Sequence, residues 1–173
     1  GTLIIEAAMS DCRIPAGYLR HRFGFQQLPD YDPQVWKTVK DEADSRIRKL
    51  ADRLIYASDI DSQAISATRA NCKMVPHART VSVLRMDFRQ IEGLADRIIL
   101  CNPPYGIRMK RQDGLDDFYR QLGDFLKQRC KGSQAYIYFG NREMIKRIGL
   151  KPAWKKPLRN GGLDGRLVKY EMY

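Results

Sequence analysis

Apolar residues recur along the chain in patterns that predict helices alternating with strands. Asp32 followed by Pro33 is typical of a helix start, because an Asp side chain caps free N–H groups and Pro favours the first helical position. The loop between Asp11 and Tyr31 is rich in Pro, Gly and aromatic residues. The predicted helices are Leu3–Met9, Pro33–Ala51, Gln63–Cys72, Asp116–Lys131 and Arg142–Ile148.

Four short apolar runs between these helices predict strands. One of them, Ile98–Cys101, has too little alternation of apolar and polar residues for a half-exposed antiparallel strand. Strands that alternate with helices predict an α/β fold with a mostly parallel sheet, helices on both faces, and all four strands as neighbours in one sheet. The runs are Leu54–Ala57, Val81–Leu84, Ile98–Cys101 and Ala135–Phe139.

The end of the chain breaks this rhythm. Trp154–Leu158 and Leu167–Tyr173 flank Asn160-Gly161, a pair that favours a hairpin turn. We therefore expect an antiparallel pair of strands at one edge of the sheet.

Composition narrows the class of protein. With 173 residues and 43% hydrophobic residues, the chain is long enough for one globular domain. No apolar run approaches the ~20 residues of a membrane span. The four cysteines form no CxxC pair, which argues against a zinc ribbon or a disulfide-stapled secreted module. We expect no signal peptide and a cytoplasmic protein.

Charge points to a polyanionic partner. Residues 1–100 hold 15 basic and 13 acidic side chains, a net of +2, whereas residues 101–173 hold 16 and 7, a net of +9. A basic surface that only contacts solvent is the alternative, but the uneven excess favours nucleic acid. Candidate phosphate contacts beside the closing hairpin are Lys155, Lys156 and Arg159, and Asn160 is a further candidate for nucleic-acid binding.

Carboxylates follow the first two predicted strands, where ligands of open α/β sheets gather. Asp59 is expected to accept hydrogen bonds from ribose hydroxyls, while Asp61 is as consistent with a helix cap as with ribose. Asp87 is a candidate acceptor for an adenine amino group, with Phe88 or Ile60 packing on the ring. The alternative for Asp87 is a loop aspartate that binds its own backbone.

The third strand ends in Cys101-Asn102-Pro103-Pro104-Tyr105-Gly106, which is the strongest motif in the chain. Two prolines stiffen the loop and remove two donors, so carbonyl acceptors dominate. Asn102 adds an amide oxygen, and Tyr105 offers a flat ring. Such a loop suits a planar group that carries an NH2.

Asn102-Pro103-Pro104-Tyr105 resembles the motif of S-adenosylmethionine-dependent amino-methyltransferases. The wider resemblance is to THUMP-associated RNA methyltransferases, in particular the bacterial 23S rRNA guanine-N2 group. Besides that motif it is carried by the stretches Gly1–Ala8, Ser58–Asp61 and Asn160-Gly161.

The resemblance implies a Rossmann-like class I methyltransferase fold and S-adenosylmethionine as cofactor. It implies catalytic roles for Asn102, Pro103 and Tyr105. The cofactor-binding residues that we expect are Gly1, Thr2, Asp59, Ile60, Asp87, Phe88 and Asn102.

The family pattern also extends upstream of this sequence. Gly1-Thr2 would end an Asp-x-x-x-Gly-Ser-Gly-Thr loop that follows a first strand. We therefore interpret residues 1–173 as a single methyltransferase domain that is incomplete at its N-terminus, in a longer protein with a THUMP domain upstream.

Three functions compete at this point. The first is methylation of the guanine N2 amine in 23S rRNA, with RNA as partner. The second is methylation of adenine N6 in DNA or RNA, and the third is a non-catalytic RNA-binding module. A glutamine methyltransferase is disfavoured by the basic C-terminal part.

The two histidines and one aromatic stretch are secondary candidates. His21 and His77 have no ligand-spaced partners, so we expect no metal site and regard both as structural or surface residues. The stretch His21–Phe25 is interpreted as a loop anchored by its own aromatic residues rather than as a cover for the cofactor or target base.

Overall fold

Helices and strands alternate along the chain in a computed structural model that describes residues 1–105 and 112–173. These residues group into two compact units, 1–86 and 87–173. The helices are α1 (Thr2–Cys12), α2 (Pro33–Ser45), α3 (Ser62–Met74) and α4 (Gln112–Arg129). The strands are β1 (Tyr56–Asp59), β2 (Ser82–Arg85), β3 (Ile98–Cys101), β4 (Gln134–Phe139), β5 (Trp154–Asn160) and β6 (Leu163–Glu171). Shorter 3-10 helices span Gly24–Gln27, Ala78–Thr80, Phe88–Gln90 and Arg142–Ile148.

In the first unit, β1 pairs with β2 in parallel, with Tyr56 opposite Ser82 and Asp59 opposite Arg85. The core of this unit lies between the strands and helices α1 and α3. Its buried side chains include Ala8, Cys12, Ile65, Cys72 and Val83.

Helix α2 begins as predicted but ends early. The Asp32 carboxylate accepts from the backbone N–H groups of Gln34 and Val35, at 2.7 and 3.2 Å. The helix ends at Ser45 instead of Ala51. Beyond it, the Arg48 backbone N–H donates to the carbonyl of Cys12 at 2.9 Å, which ties the chain to the end of α1. This long-range contact replaces the helical hydrogen bond that the spacing of Ile47 and Leu50 suggested.

The second unit contains a four-stranded sheet in the order β3-β4-β6-β5. Strands β3 and β4 are parallel, and β4, β6 and β5 are antiparallel neighbours. One face of this sheet packs against α4 and the 3-10 helix Arg142–Ile148. The core on that face includes Tyr119, Leu126, Ile137, Phe139 and Val168.

The predicted C-terminal hairpin is confirmed. Trp154–Asn160 and Leu163–Glu171 pair with Asn160 opposite Leu163, so Gly161-Gly162 forms a two-residue turn. Gly161 has a φ of 58°, in the left-handed region that tight hairpin turns require. As predicted, the hairpin forms one end of its sheet.

The prediction of one sheet containing all four early strands is wrong for this structure. Within the described ranges, β1 and β2 form a two-stranded sheet, and β3 and β4 belong to a separate one. The physical reason is pairing: β1 hydrogen-bonds only to β2, and β3 only to β4, among the strands described. None of the helices described is long and apolar enough to cross a membrane.

Candidate functional site

The loop after β3 is closed by one of its own side-chain hydrogen bonds. The Tyr105 hydroxyl donates to the amide oxygen of Asn102. Pro103 is buried and anchors the loop, whereas Asn102 is exposed and accessible to a ligand. Gly106, the last residue of the predicted motif, lies outside the described residues.

Helix α4 contacts the same loop through Tyr119. Tyr119 is fully buried, and its hydroxyl donates to the carbonyl of Pro104 at 3.2 Å. Its ring stacks on Phe139 at a centroid distance of 5.5 Å. Because the two prolines already restrict the backbone, this contact fixes the direction of the Pro104 carbonyl.

The Tyr105 ring is positioned by residues at the end of β4. It meets the Tyr138 ring edge to face, with centroids 5.6 Å apart. A Cβ on Gly140 would lie 2.7 Å from the Tyr105 ring, so only glycine leaves room for the ring there. Tyr105 remains partly exposed. It therefore presents a preset aromatic surface beside the Asn102 oxygen.

Cys101, immediately before Asn102, is not a nucleophile in this arrangement. Burial raises the pKa of its thiol to about 11. At neutral pH the sulfur stays protonated, and a thiol is a much poorer nucleophile than a thiolate. The chemistry that the loop offers is therefore that of hydrogen-bond acceptors.

Asp87 has a structural role in this unit. Its Oδ1 accepts from the backbone N–H of Arg89 at 2.9 Å and caps the 3-10 helix Phe88–Gln90. The Arg89 guanidinium also binds both carboxylate oxygens, at 2.9 and 2.5 Å. Hydrogen bonding from Arg89 lowers the pKa of Asp87, so the carboxylate stays ionised. Its role as an acceptor for an adenine amine stays a prediction, since carboxylate oxygens have lone pairs to spare.

Phe88 is packed mainly into the protein. Its ring meets Phe118 and Phe125 edge to face, at 5.5 and 5.6 Å. It is nevertheless only partly buried, so contact with a ligand ring is still open to it.

The other predicted cofactor residues lie in the first unit. Asp59 ends β1, and its Oδ1 accepts from the backbone N–H of Asp61 at 2.9 Å. Asp61 caps α3 by accepting from the N–H of Gln63 at 2.8 Å, so the predicted cap is confirmed, while contact with ribose stays a prediction. Ile60 is 63% exposed, so its side chain offers apolar surface to a ligand.

Gly1 and Thr2 lie at the start of α1. The Gly1 carbonyl accepts from the N–H groups of Ile4 and Ile5, both at 3.1 Å. A Cβ on Gly1 would lie 2.5 Å from the Thr68 hydroxyl oxygen, so α1 and α3 approach closely there.

The four predicted nucleic-acid contacts divide between the two faces of β5. Successive side chains alternate, so Lys155 and Arg159 share one face, and Lys156 and Asn160 share the other. Lys155 lies opposite Val168, whose side chain is on the core face. Lys156 lies opposite Leu167, which pairs with Tyr138 on the face where Tyr105 packs. The four residues are exposed.

Sequence reasoning missed the aromatic residues beside Lys156. The Lys156 ammonium lies over the Trp154 ring, 4.9 Å from its centroid. Trp154 is 5.9 Å from the Tyr136 ring, and the Lys169 ammonium lies 5.8 Å from the Tyr136 centroid. The sequence signal for this face is the two-residue spacing of Tyr136 and Tyr138 in β4 and of Trp154 and Lys156 in β5, because side chains two positions apart in a strand lie on the same face.

The aromatic stretch after His21 is anchored as predicted. Phe23 and Phe25 stack on each other at 5.3 Å, and both meet Trp36 edge to face. His21 and His77 are both exposed. Residues 1–105 and 112–173 contain no cluster of three or more metal-ligating side chains.

Comparison with protein families and curated proteins gives a consistent result. Residues 1–169 match the family described as UPF0020, RMKL-like, methyltransferase domain. A Synechocystis sp. protein named as an RNA methyltransferase, slr0064, is 36% identical over 174 residues, which are 100% of this chain and 45% of the relative. The ribosomal RNA large subunit methyltransferase K/L of Hahella chejuensis is 33% identical and covers 100% of this chain, which spans 25% of that protein. The chain therefore spans less than half the length of these relatives.

Two solved structures share the fold. SMU.472, described as a methyltransferase complexed with SAH, has a TM-score of 0.89 and 25% identity, covering 100% of this chain and 46% of that one. A protein of Clostridium difficile 630 that is named as a methylase has a TM-score of 0.89 and 27% identity, covering 99% and 45%.

Proposed function

The chain belongs to the UPF0020 family of RMKL-like methyltransferase domains, and we propose that it transfers a methyl group from S-adenosylmethionine to the N2 amine of a guanine in ribosomal RNA. The predicted resemblance and Rossmann-like fold are confirmed by the family match and the solved structures. Relatives named as RNA and ribosomal RNA methyltransferases support RNA as the substrate.

The residues of the first unit fit the cofactor by their chemistry. Asp59 is exposed, and one of its carboxylate oxygens has no partner among the described residues, so it is open to ribose hydroxyls. Ile60 supplies exposed apolar surface for a purine ring. Thr2 lies in the first turn of an 11-residue helix, where free N–H groups favour a carboxylate. When bound, S-adenosylmethionine supplies a methyl group on a sulfonium.

The residues after β3 prepare the amine that accepts this methyl. An exocyclic amine is a weak nucleophile because its lone pair is delocalised into the base. The Asn102 oxygen and the Pro103 carbonyl accept hydrogen bonds from its two N–H groups, which favours a pyramidal nitrogen with the lone pair directed outward. These fixed dipoles also stabilise the positive charge that develops on nitrogen. The proton leaves after transfer, so no dedicated base is required.

Tyr105 holds the base while this happens. A paired guanine must leave its helix before it reaches the loop, and stacking on an aromatic ring offsets part of that cost. The ring is already fixed by Tyr138 and Gly140, so little side-chain freedom is lost when the base arrives. The juxtaposition of the Asn102 oxygen and this ring is the observation that carries the proposal.

The test separates cofactor binding from catalysis. Asp59→Ala should weaken S-adenosylmethionine binding by roughly 10–100-fold, because it removes charge-assisted hydrogen bonds. Asn102→Ala should leave that affinity nearly unchanged and lower the single-turnover rate by ~10²–10³. Calorimetry measures the first effect. Labelled methyl transfer to undermodified ribosomal RNA, with nucleoside analysis, measures the second.

Each outcome has a definite meaning. N2-methylguanosine supports the proposal, and N6-methyladenosine promotes the adenine methyltransferase. A protein that binds RNA and cofactor but methylates no nucleoside, whether or not it carries Asn102→Ala, is the non-catalytic module. The accompanying proposals are a cytoplasmic location and an upstream THUMP domain in the same protein that contributes to RNA binding.

A further inference from the structure

The cations of the first unit are concentrated in two segments of its chain. Residues 12–29 and 62–86 together contain seven Lys and Arg residues and no Asp or Glu. The rest of residues 1–86 contains six Lys and Arg residues and ten Asp and Glu residues. The net charge of this unit, +3 from 13 basic and 10 acidic residues, hides this separation.

The two segments meet at Tyr18. One cavity of about 450 Å³ is lined by Tyr18, Arg20, Phe23 and Trp36, with His21 and Lys40. A second, of about 620 Å³, is lined by Tyr18, Lys73, His77 and Arg79 with their neighbours. We call the residues around these two cavities the Tyr18 surface. Its rings and cations alternate, since the Arg20 guanidinium lies 5.7 Å from the Phe23 centroid and the Lys40 ammonium 6.0 Å from that of Tyr18.

Lys40, on the Tyr18 surface, pairs with Asp44 at 2.5 Å. The other three cations of this surface have no carboxylate partner among the residues described: Arg20, Lys73 and Arg79. All three are exposed. Other cations of the same unit are neutralised, because Lys37 pairs with Asp41 at 2.6 Å and Arg46 pairs with Glu42. Arg69 and Arg85, from the acid-free segment, are engaged by the carbonyls of Val83 and Ile60.

We propose that the Tyr18 surface binds single-stranded RNA, with phosphates at Arg20, Lys73 and Arg79 and a base in the aromatic cavity. Cations beside exposed aromatic rings are the arrangement that holds single strands, because rings stack with bases while cations contact the backbone. The proposal rests on RNA as the substrate in the proposed function, but it does not use Asn102 or the loop after β3.

The experiment measures binding of fluorescein-labelled oligouridine to the 173-residue chain by anisotropy, over a series of salt concentrations. Arg20→Gln/Arg79→Gln should weaken binding roughly tenfold and reduce the slope of log K against log salt by about 1.4, or ~0.7 for each lost contact. Lys37→Gln/Arg46→Gln removes the same charge from the same unit. It should change affinity less than about threefold, because neighbouring carboxylates already neutralise those cations.

The aromatic contribution is tested at Tyr18. Tyr18→Ala should weaken oligouridine binding roughly tenfold, whereas Tyr18→Phe should match the unaltered protein, since the ring remains. Tyr18 also packs against the core, so thermal unfolding of each variant is compared, and Tyr18→Phe keeps the test valid if Tyr18→Ala is destabilised.

Several results would overturn the inference. Equal losses in the two double variants would show only a net-charge effect, and no loss in either would place RNA elsewhere. Polyglutamate and unlabelled RNA of equal charge are compared as competitors of the labelled oligouridine. If polyglutamate competes as strongly as the RNA does, the partner of this surface is an acidic protein. The proposed function is read separately by methyl transfer. If RNA binding depends on Arg20 and Arg79 but no nucleoside is methylated, the Tyr18 surface is supported and the proposed enzymatic function is rejected. If RNA is methylated but its binding does not depend on Arg20 and Arg79, only the Tyr18 surface is rejected.

Discussion

At the residue scale, the hydrogen bond between Tyr105 and Asn102 raises the question of whether the hydroxyl competes with the substrate amine. An amide oxygen has two lone pairs, so Asn102 can accept from the hydroxyl and from the target amine together. The hydroxyl therefore need not leave when the base binds. The ring of Tyr105, and not its hydroxyl, is expected to carry most of its contribution.

Replacing Tyr105 separates these two parts. Tyr105→Ala should cost about 1–3 kcal/mol in both RNA binding and single-turnover rate, because the stacking surface is lost. Tyr105→Phe should stay within a few-fold of the unaltered rate. Binding by anisotropy and methyl transfer to undermodified ribosomal RNA measure the two effects. A Phe variant as impaired as the Ala variant would show that the hydroxyl is essential.

Cys101 gives a prediction about pH. Burial raises its pKa from 9.0 to about 11, so at pH 7 roughly one thiol in 10⁴ is ionised instead of one in 10². Alkylation by iodoacetamide should therefore be about 100-fold slower than for a free cysteine. Mass spectrometry of the Cys101 peptide over a range of pH measures this.

The same shift has a sign for stability. The unfolded chain ionises this thiol near pH 9 and the folded chain near pH 11, so the unfolded state binds fewer protons in that window. The contribution of Cys101 to stability is thus intact below pH 9 and is lost as the pH rises toward 11.

The rate of methyl transfer by Cys101→Ala should stay within a few-fold of the unaltered rate. A complete loss of rate would contradict a mechanism in which the loop after β3 supplies only hydrogen-bond acceptors.

At the element scale, β5 shows why four basic or polar neighbours in sequence are not one patch. Lys156 lies on the face of the sheet that carries Tyr138, against which Tyr105 packs, and Lys155 lies on the opposite face. We expect RNA that reaches the loop after β3 to follow the Lys156 face. The Trp154 ring beneath the Lys156 ammonium adds a stacking surface there.

Lys155→Gln and Lys156→Gln form a matched pair for this prediction, since both are exposed lysines of one strand. Lys156→Gln should reduce the slope of log K against log salt by about 0.7 for single-stranded RNA. Lys155→Gln should leave the slope nearly unchanged. Equal effects would place RNA around the edge of β5 rather than on one face.

The same elements show what the sequence can and cannot predict. The hairpin at Gly161, the Asp32 and Asp61 caps and the loop after β3 follow from local chemistry, and the structure has each of them. The end of α2 depends on the contact of Arg48 with Cys12, 36 residues away, which no local pattern reveals. The basic Tyr18 surface could not be predicted from the net charge, because that sum also counts cations that carboxylates neutralise. The placement of Lys155 and Lys156 on opposite faces could be assigned only once the register of β5 with β6 was known.

At the scale of the whole molecule, the uncovered strands suggest what a longer protein would add. Each of β1 and β3 is paired along one edge only, within the part of the chain that the structure describes. Apolar side chains on them are open to solvent, with Ile98 73% and Tyr56 50% exposed. Unpaired edges and exposed apolar strands are features that folded proteins normally cover. A strand upstream of Gly1 stays a prediction, and these two edges support it.

This prediction has a measurable energetic consequence. Full burial of a large aliphatic side chain contributes about 1.5–3 kcal/mol, so covering the exposed 73% of Ile98 and 49% of Leu100 should contribute about 2–4 kcal/mol in total. A protein extended upstream of Gly1 should therefore unfold at higher urea concentration than residues 1–173. Its m-value should also be larger, because more surface is exposed on unfolding. Amide hydrogen exchange gives the local control, since β3 should gain protection while β6, already paired on both sides, should gain only the global increase. Unchanged exchange along β3 in the longer protein would show that the upstream segment folds elsewhere.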